Sequence, residues 1–130
     1  MNWDEDFDVV CVGSGLGGMS AALTAAERGA NAIVLEKFEL LGGTCALSSG
    51  QLWLGPHHLQ SDAVVDSDED ADAYLTHLSQ GFATPERRRV FIERGREALR
   101  FMTDAIGIEM AVIDGLPDYY YPAVAGSKPE

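Results

Sequence analysis

The sequence predicts an α/β fold: one β-α-β unit, incomplete by itself, followed by two helices. Three observations carry this. Two short runs rich in Val and Ile, "FDVVCV" at 7–12 and "NAIVLE" at 31–36, bracket an alanine-rich stretch of helical period. Four glycines fall within the six residues 13–18, where the first run meets that stretch. Farther on, two segments open on a hydroxyl cap and then carry apolar residues at three- and four-residue spacing.

The first run is apolar and bounded by glycine, the pattern of a parallel strand covered on both faces. Met19, Ala22, Leu23 and Ala26 then recur at helical spacing until Gly29, which predicts the stop. "NAIVLE" is a second strand of the same kind, and the crossover joining such strands is right-handed. Residues 37–50 read as loop, and "QLWL" at 51–54 as a short extended piece. Ser67 caps a helix with acids in its first turn, whose apolar stripe is Ala71, Tyr74, Leu75 and Leu78, up to Gly81. Thr84 caps another helix over 84–107, with Pro85 at its first position and Phe91, Ala98, Met102 and Ile106 on its inner side. On that helix Arg87, Arg88 and Arg89 read as a solvated face, with Glu93–Arg96 and Glu97–Arg100 pairs at i,i+3 spacing. "IEMAVI" at 108–113 reads as a third strand, and the rest as loop.

Composition excludes several functions. Nine basic against twenty-one acidic residues leave a net charge of -12, which argues against nucleic acid and against an anionic membrane surface. A hydrophobic share of 46% is too high for disorder. No apolar run reaches the ~20 residues of a membrane span. The acidic start "MNWDEDFD" is unlike a signal peptide. Cys11 and Cys45 make no disulfide framework, which points to a reducing, cytoplasmic setting. The adjacent pair His57–His58 has the wrong spacing for one helical face, so no metal site is expected.

The glycines carry the chemistry. Gly13, Gly15 and Gly18 fit G-x-G-x-x-G with a strand before, a helix after, and Glu36 ending the next strand. In such a turn the first glycine permits the bend, the second lets backbone approach a pyrophosphate, and the third lets helix and strand pack closely. No Ser, Thr, Asp or Asn stands after Gly15 to cap the helix, so its N–H groups and positive dipole end face a bound anion. Glu36 accepts from ribose hydroxyls and disfavours a 2′-phosphate. The unit is therefore Rossmann-like and binds an ADP-containing cofactor. The segment 36–53, with Gly42–Gly43, small hydroxyl residues and another glycine, suits a long cofactor whose second half lies flat along the chain.

As a set these runs resemble the N-terminus of FAD-dependent dehydrogenases grouped with the fumarate reductase and succinate dehydrogenase flavoproteins, and within that group the 3-ketosteroid dehydrogenases. That family's pattern is G-S-G-x-G-G, then E-K, then G-G-[ST]-[TS], then S-x-G-G-x-W. Here it falls on Gly13, Ser14, Gly15, Leu16, Gly17 and Gly18; on Glu36 and Lys37; on Gly42, Gly43, Thr44 and Cys45; and on Ser48, Ser49, Gly50, Gln51, Leu52 and Trp53. The resemblance covers residues 7–54. It implies that the first motif holds the pyrophosphate of FAD, Glu36 the adenosine ribose, and Gly43 to Gln51 the path toward the flavin ring. Ser49 and Gln51 depart from the pattern by replacing glycines. No histidine stands beside Thr44, where the succinate dehydrogenase branch attaches its flavin, so the resemblance implies non-covalent FAD. Cys45 then reads as a small residue beside the flavin, and Cys11 as inert core.

The end of the chain, "PDYYYPAVAGSKPE", resembles a substrate-lining segment of the same family. There one tyrosine hydrogen-bonds a later tyrosine that removes the proton alpha to the ketone, and hydride passes to flavin N5. Tyr119 or Tyr120 takes the supporting role by this resemblance; half-buried packing of the three tyrosines is the alternative reading. Residues 1–130 thus read as the N-terminal part of an FAD-binding domain. Two strands and a third at 108–113 are too few for a doubly wound sheet of about six. The chain is then one subunit of a split flavoenzyme or a fragment of one; the remainder is expected on a larger partner chain, with a small ketone, steroid-like, as substrate. The other readings are a fumarate reductase-like enzyme acting on an unsaturated acid, and a non-catalytic FAD- or ADP-binding assembly module.

Overall fold

A computed structural model describes residues 4–60, 66–113 and 115–129. The first three residues of the acidic start and positions 114 and 130 of the C-terminal loop lie outside the described residues. The chain forms two compact units, Met1–Leu52 and Trp53–Glu130.

In the first unit, strand β1 (Val9–Val12), helix α1 (Leu16–Glu27) and strand β2 (Ala32–Leu35) follow one another as the two apolar runs and the glycine bend dictate. β1 and β2 pair in parallel, with Val9 opposite Ala32 and Val12 opposite Leu35. Asn31 fixes the start of the ladder: its backbone N–H donates to Asp8 Oδ2 at 2.8 Å, and its carbonyl accepts from Asp8 N at 2.9 Å. α1 stops at Gly29, whose φ of 84° needs no side chain. Cys11 and Ala22 are buried where α1 lies on the sheet.

The strands are not covered on both faces. Val12 is 85% exposed, and Val10 and Leu35 are half exposed. One helix shields one face of a two-stranded sheet, so the other face stays open. Phe38, Leu40, Leu41 and Leu47, which follow β2, are exposed as well. Within the stretch read as loop lies a short 3-10 turn, Gly43–Leu47.

The second unit is built on helix α2 (Asp68–Ser79) and helix α3 (Pro85–Arg100). Ser67 Oγ accepts from Asp70 N at 3.0 Å, and Thr84 Oγ1 from Arg87 N at 3.3 Å, so both caps form. Ala71 and Tyr74 are buried on α2, while Leu78 is exposed. On α3 the buried residues are Ile92 and Leu99, one position on from Phe91 and Ala98. The reason is Gly95, midway along that face, where a Cβ would sit 3.3 Å from Leu54 Cδ2. Leu54 seats against the missing side chain, on the face that carries Ile92 and Leu99. After Arg100 the helix loosens into a π-turn, Phe101–Ala105, with Ile106 N donating to Phe101 O.

Three further expectations change. Arg88 is not solvated: its guanidinium pairs with Asp72 at 2.7 Å and reaches the Ala83 carbonyl, tying α3 to α2. The surface pairs on α3 are Arg89–Glu93 and Arg94–Glu97 rather than Glu93–Arg96 and Glu97–Arg100. Such exposed pairs contribute little, so nothing fixes their partners in advance. Residues 51–54 and 108–113 form no strand, because a strand needs a ladder partner and the two described strands pair only with each other. Trp53 packs its ring against Tyr74 and Phe91 instead. No helix among the described residues is long and apolar enough to cross a membrane.

Candidate functional site

At the end of β1 the chain leaves the sheet through Gly13, at φ 92°, whose N–H donates to the Leu35 carbonyl at 2.7 Å. Two residues later α1 begins. Its N-cap Gly15 is extended (φ -69°, ψ -179°), with no side-chain cap and no acid in the first turn. The N–H groups there have no intrahelical acceptor, and no side chain of the first turn opposes the positive end of the helix dipole. A Cβ at Gly15 would meet nothing nearer than the Gly42 carbonyl at 4.0 Å, and one at Gly17 nothing within 4 Å. A Cβ at Gly18 would overlap the Gly13 carbonyl oxygen. Thus Gly18 holds helix and strand together, while Gly15 and Gly17 leave the helix tip open to a diphosphate. The donor set fits a dinucleotide cofactor.

Behind the tip, Ser14 is 1% exposed. Its N–H and its hydroxyl both donate to Glu36 Oε2, at 2.8 and 2.6 Å, and the hydroxyl accepts from Gly42 N at 2.9 Å. Glu36 Oε1 accepts from Phe38 N at 3.0 Å. One side chain therefore joins the first glycine turn, the acidic end of β2 and the second glycine turn. Sequence reasoning placed Ser14 at the cofactor; its hydroxyl faces inward, donating to Glu36 and accepting from Gly42. The only signal for that role was a small hydroxyl in the glycine turn, and it named no partner. The Glu36 carboxylate is heavily engaged: besides Ser14 N, Ser14 Oγ and Phe38 N, the Lys37 backbone N–H also bonds to it.

These donors set the charge of Glu36. The Ser14 hydroxyl, then the Ser14 and Phe38 N–H groups, hold its pKa down from 4.5 to about 2. A carboxylate whose pKa is lower folded than unfolded adds stability above the unfolded value and loses it as pH falls toward the folded one. Acidification from pH 4.5 toward 2 should therefore loosen the first unit. The checking measurement is cofactor retention and melting temperature against pH, with Glu36→Gln flattening that acid limb.

Gly42, at φ 104°, opens the 3-10 turn and accepts from Cys45 N at 3.1 Å. The Cβ position of Gly43 lies 3.8 Å from Gly15 Cα, so the two glycine turns run side by side. The structure thus brings together Gly13 to Gly18, Glu36 and Gly42–Gly43. Leu16, Lys37, Thr44 and Cys45 stand exposed around them. Ser48, Ser49, Gly50 and Gln51 are also exposed; Gly50 N donates to Ser48 Oγ at 3.0 Å, and among the described residues no hydrogen bond ties this stretch to the first turn. Cys11 is buried. In the second unit Tyr119 is 93% exposed, whereas Tyr120 and Tyr121 are about half exposed and Tyr120 meets the His77 ring edge-on.

Comparison with known proteins bears on this geometry. The family described as FAD binding domain matches residues 8–124. A 3-oxosteroid 1-dehydrogenase of Mycobacterium tuberculosis is 39% identical over 126 residues, which is 96% of this chain and 22% of that protein. A 4-oxocyclohexanecarboxylate 2-dehydrogenase of Sinomonas cyclohexanicum is 40% identical over 114 residues, 87% of this chain and 20% of that protein. The crystal structure of a 3-ketosteroid delta1-dehydrogenase from Sterolibacterium denitrificans, in complex with 1,4-androstadiene-3,17-dione, superposes with a TM-score of 0.82 at 30% identity, covering 95% of this chain and 22% of that one. The chain therefore spans about a fifth of the length of these relatives.

Proposed function

The chain belongs to the FAD binding domain family, and from that membership we propose that it is the cofactor-holding part of a flavin-dependent dehydrogenase that desaturates a carbon–carbon bond alpha,beta to a ketone. The observation that carries the reading is the uncapped tip of α1, approached without side chains and braced by Ser14 between Glu36 and Gly42. The first-turn N–H groups beyond Gly15 bind the diphosphate of FAD, and Glu36 takes an adenosine ribose hydroxyl. Gly42, Gly43, Thr44 and Cys45, with Ser48 to Gln51, line the way to the flavin ring. When bound, FAD supplies the hydride acceptor. Tyr119 or Tyr120 supports a base that removes the proton alpha to the ketone; such a partner needs help, because a free tyrosine titrates near ~10.

The substrate is a cyclic ketone, steroid-like, since the relatives named above act on oxosteroids and on an oxocyclohexane acid. The open face of the β1–β2 sheet and the exposed apolar residues after β2 favour a larger polypeptide that completes the flavin and substrate domains. The two free cysteines suit a reducing compartment such as the cytoplasm.

The test uses the intact flavoprotein that contains this chain, mixed anaerobically with 4-androstene-3,17-dione. Bleaching of the flavin band is expected. A flavin that no ketone bleaches, but that once reduced is reoxidised by fumarate, would replace this reading with a reductase. Absence of any flavin would leave an assembly module. Because no histidine lies within residues 37–50, acid precipitation should release the flavin into the supernatant. A yellow pellet would contradict the non-covalent attachment.

A further inference from the structure

The segment that carries the three tyrosines is closed at its base by one side chain. Asp118 N donates to the Lys128 carbonyl at 3.0 Å, and Lys128 N donates back to Asp118 Oδ2 at 2.7 Å. The other carboxylate oxygen, Oδ1, accepts from the indole N–H of Trp53 at 2.7 Å. Trp53 is fixed in turn, its ring 5.3 Å from that of Tyr74 and stacked at 6.3 Å on Phe91. Asp118 therefore ties the two ends of residues 118–128 to each other and both to α2 and α3.

Between those ends the chain is a succession of turns. Tyr121 N donates to Asp118 O, Ala123 N to Tyr120 O, and Ser127 N to Val124 O. At the far end Gly126, at φ 81°, passes so close to α2 that a Cβ there would collide with the Asp70 carbonyl. The Lys128 ammonium meets Asp70 Oδ2 at 2.6 Å. Among the described residues nothing comparable holds Tyr119, which stands almost wholly exposed next to the tie.

We propose that Asp118, acting with the Trp53 indole N–H, is a positioning residue that sets where the tyrosines of this segment stand during turnover. Asp118 touches neither cofactor nor substrate in this role. The proposal rests on the reading above, in which one of those tyrosines supports the base. Its physical warrant is the count of donors. Two N–H groups converge on one carboxylate, and an asparagine in its place accepts from one while turning its own NH2 toward the other. The base of the segment then opens and one negative charge is lost there, while the hydrogen bonds of the flavin-holding turn in the first unit are untouched.

The experiment compares Asp118→Asn and Trp53→Phe in the intact flavoenzyme, with 4-androstene-3,17-dione as probe. Trp53→Phe removes the N–H and keeps an aromatic ring, a smaller one, against Tyr74 and Phe91. Expected are unchanged flavin content, a kcat lower by roughly 10- to 100-fold because about 1 Å of misplacement suffices for that, and little change in KM. Amide exchange at Tyr121, Ala123, Val124 and Ser127 rises about tenfold or more in Asp118→Asn, in proportion to the opened population. The double variant loses little beyond the worse single one, as expected of two ends of one tie.

Asp118→Asn added to whichever of Tyr119→Phe and Tyr120→Phe lowers turnover should give no further loss. Unchanged exchange in 119–127, or a kcat that falls only as flavin is shed, overturns the proposal. So does a loosened segment with normal turnover. If both tyrosine variants are silent while exchange rises, the catalytic reading of the tyrosines has failed, and Asp118 is left with no positioning role.

Discussion

Gly18→Val is expected to abolish flavin retention in the intact protein, the largest effect of any single change in the first unit. The added Cβ would overlap the Gly13 carbonyl oxygen and stand 3.0 Å from the Gly13 carbonyl carbon. Both are backbone atoms, pinned by the bond from Gly13 N to the Leu35 carbonyl. No side chain can swing aside, so α1 must lift from β1. Lifting it moves the N–H groups of the helix tip, which do their work only when aimed as a set. Overpacking of this kind costs about 1–3 kcal/mol for small additions. Even that range, if taken from the binding-competent state, lowers cofactor affinity by roughly 5- to 140-fold at 1.4 kcal/mol per decade.

Gly18→Ala should therefore bind flavin weakly and Gly18→Val not at all, read by fluorescence titration and by the flavin-to-protein ratio after purification. Gly17→Ala is the matched comparison, since its Cβ meets nothing within 4 Å and alanine favours the helix by about 0.8–1.0 kcal/mol. Its melting temperature should hold or rise. A Gly18→Val protein that stays yellow with an unaltered melting temperature would remove the close-packing argument.

That residue 18 had to be glycine was legible in the sequence, because the constraint is local: strand, bend and helix lie within a dozen residues, and position 18 faces the Gly13 carbonyl. The helix caps were legible on the same ground. What failed was decided by residues far apart in the chain. The inner face of α3 was misplaced by one position because Leu54, some forty residues upstream, seats at Gly95. Residues 108–113 have the composition of a strand but no partner among the described strands, and apolar composition supplies no ladder. Arg88 looked like one of three solvated arginines until Asp72 on α2 took it up.

The site divides in the same way. Gly13, Gly15, Gly18 and Glu36 follow from spacing alone, whereas no spacing rule links Ser14 to both Glu36 and Gly42. The Asp118–Lys128 closure lies in a stretch whose tyrosines drew attention and whose aspartate did not.

Ser14→Ala is expected to cost the first unit more than a serine-to-alanine change ordinarily does, because it severs three segments at once. The Gly42 N–H loses its acceptor, which for a half-buried group costs roughly 1 kcal/mol. Glu36 loses the hydroxyl that contributes most to holding its pKa near 2, and keeps only the backbone donors. The second glycine turn is then free to drift from the first, although the structure sets the Gly43 Cβ position 3.8 Å from Gly15 Cα. On the proposed function, in which both turns hold the cofactor, flavin affinity should fall by about fivefold or more, since 1.4 kcal/mol is a decade.

The pH dependence separates this cause from simple unfolding. With the hydroxyl gone the Glu36 pKa moves up toward its ordinary 4.5, so flavin release on acidification begins at a higher pH than in the parent protein. Glu36→Gln, lacking the titrating group, should show no such shift when combined with Ser14→Ala. If Ser14→Ala instead keeps both the parental affinity and the parental acid midpoint, the hydroxyl does not bridge the two turns in solution, and the bracing assigned to it must come from the backbone alone.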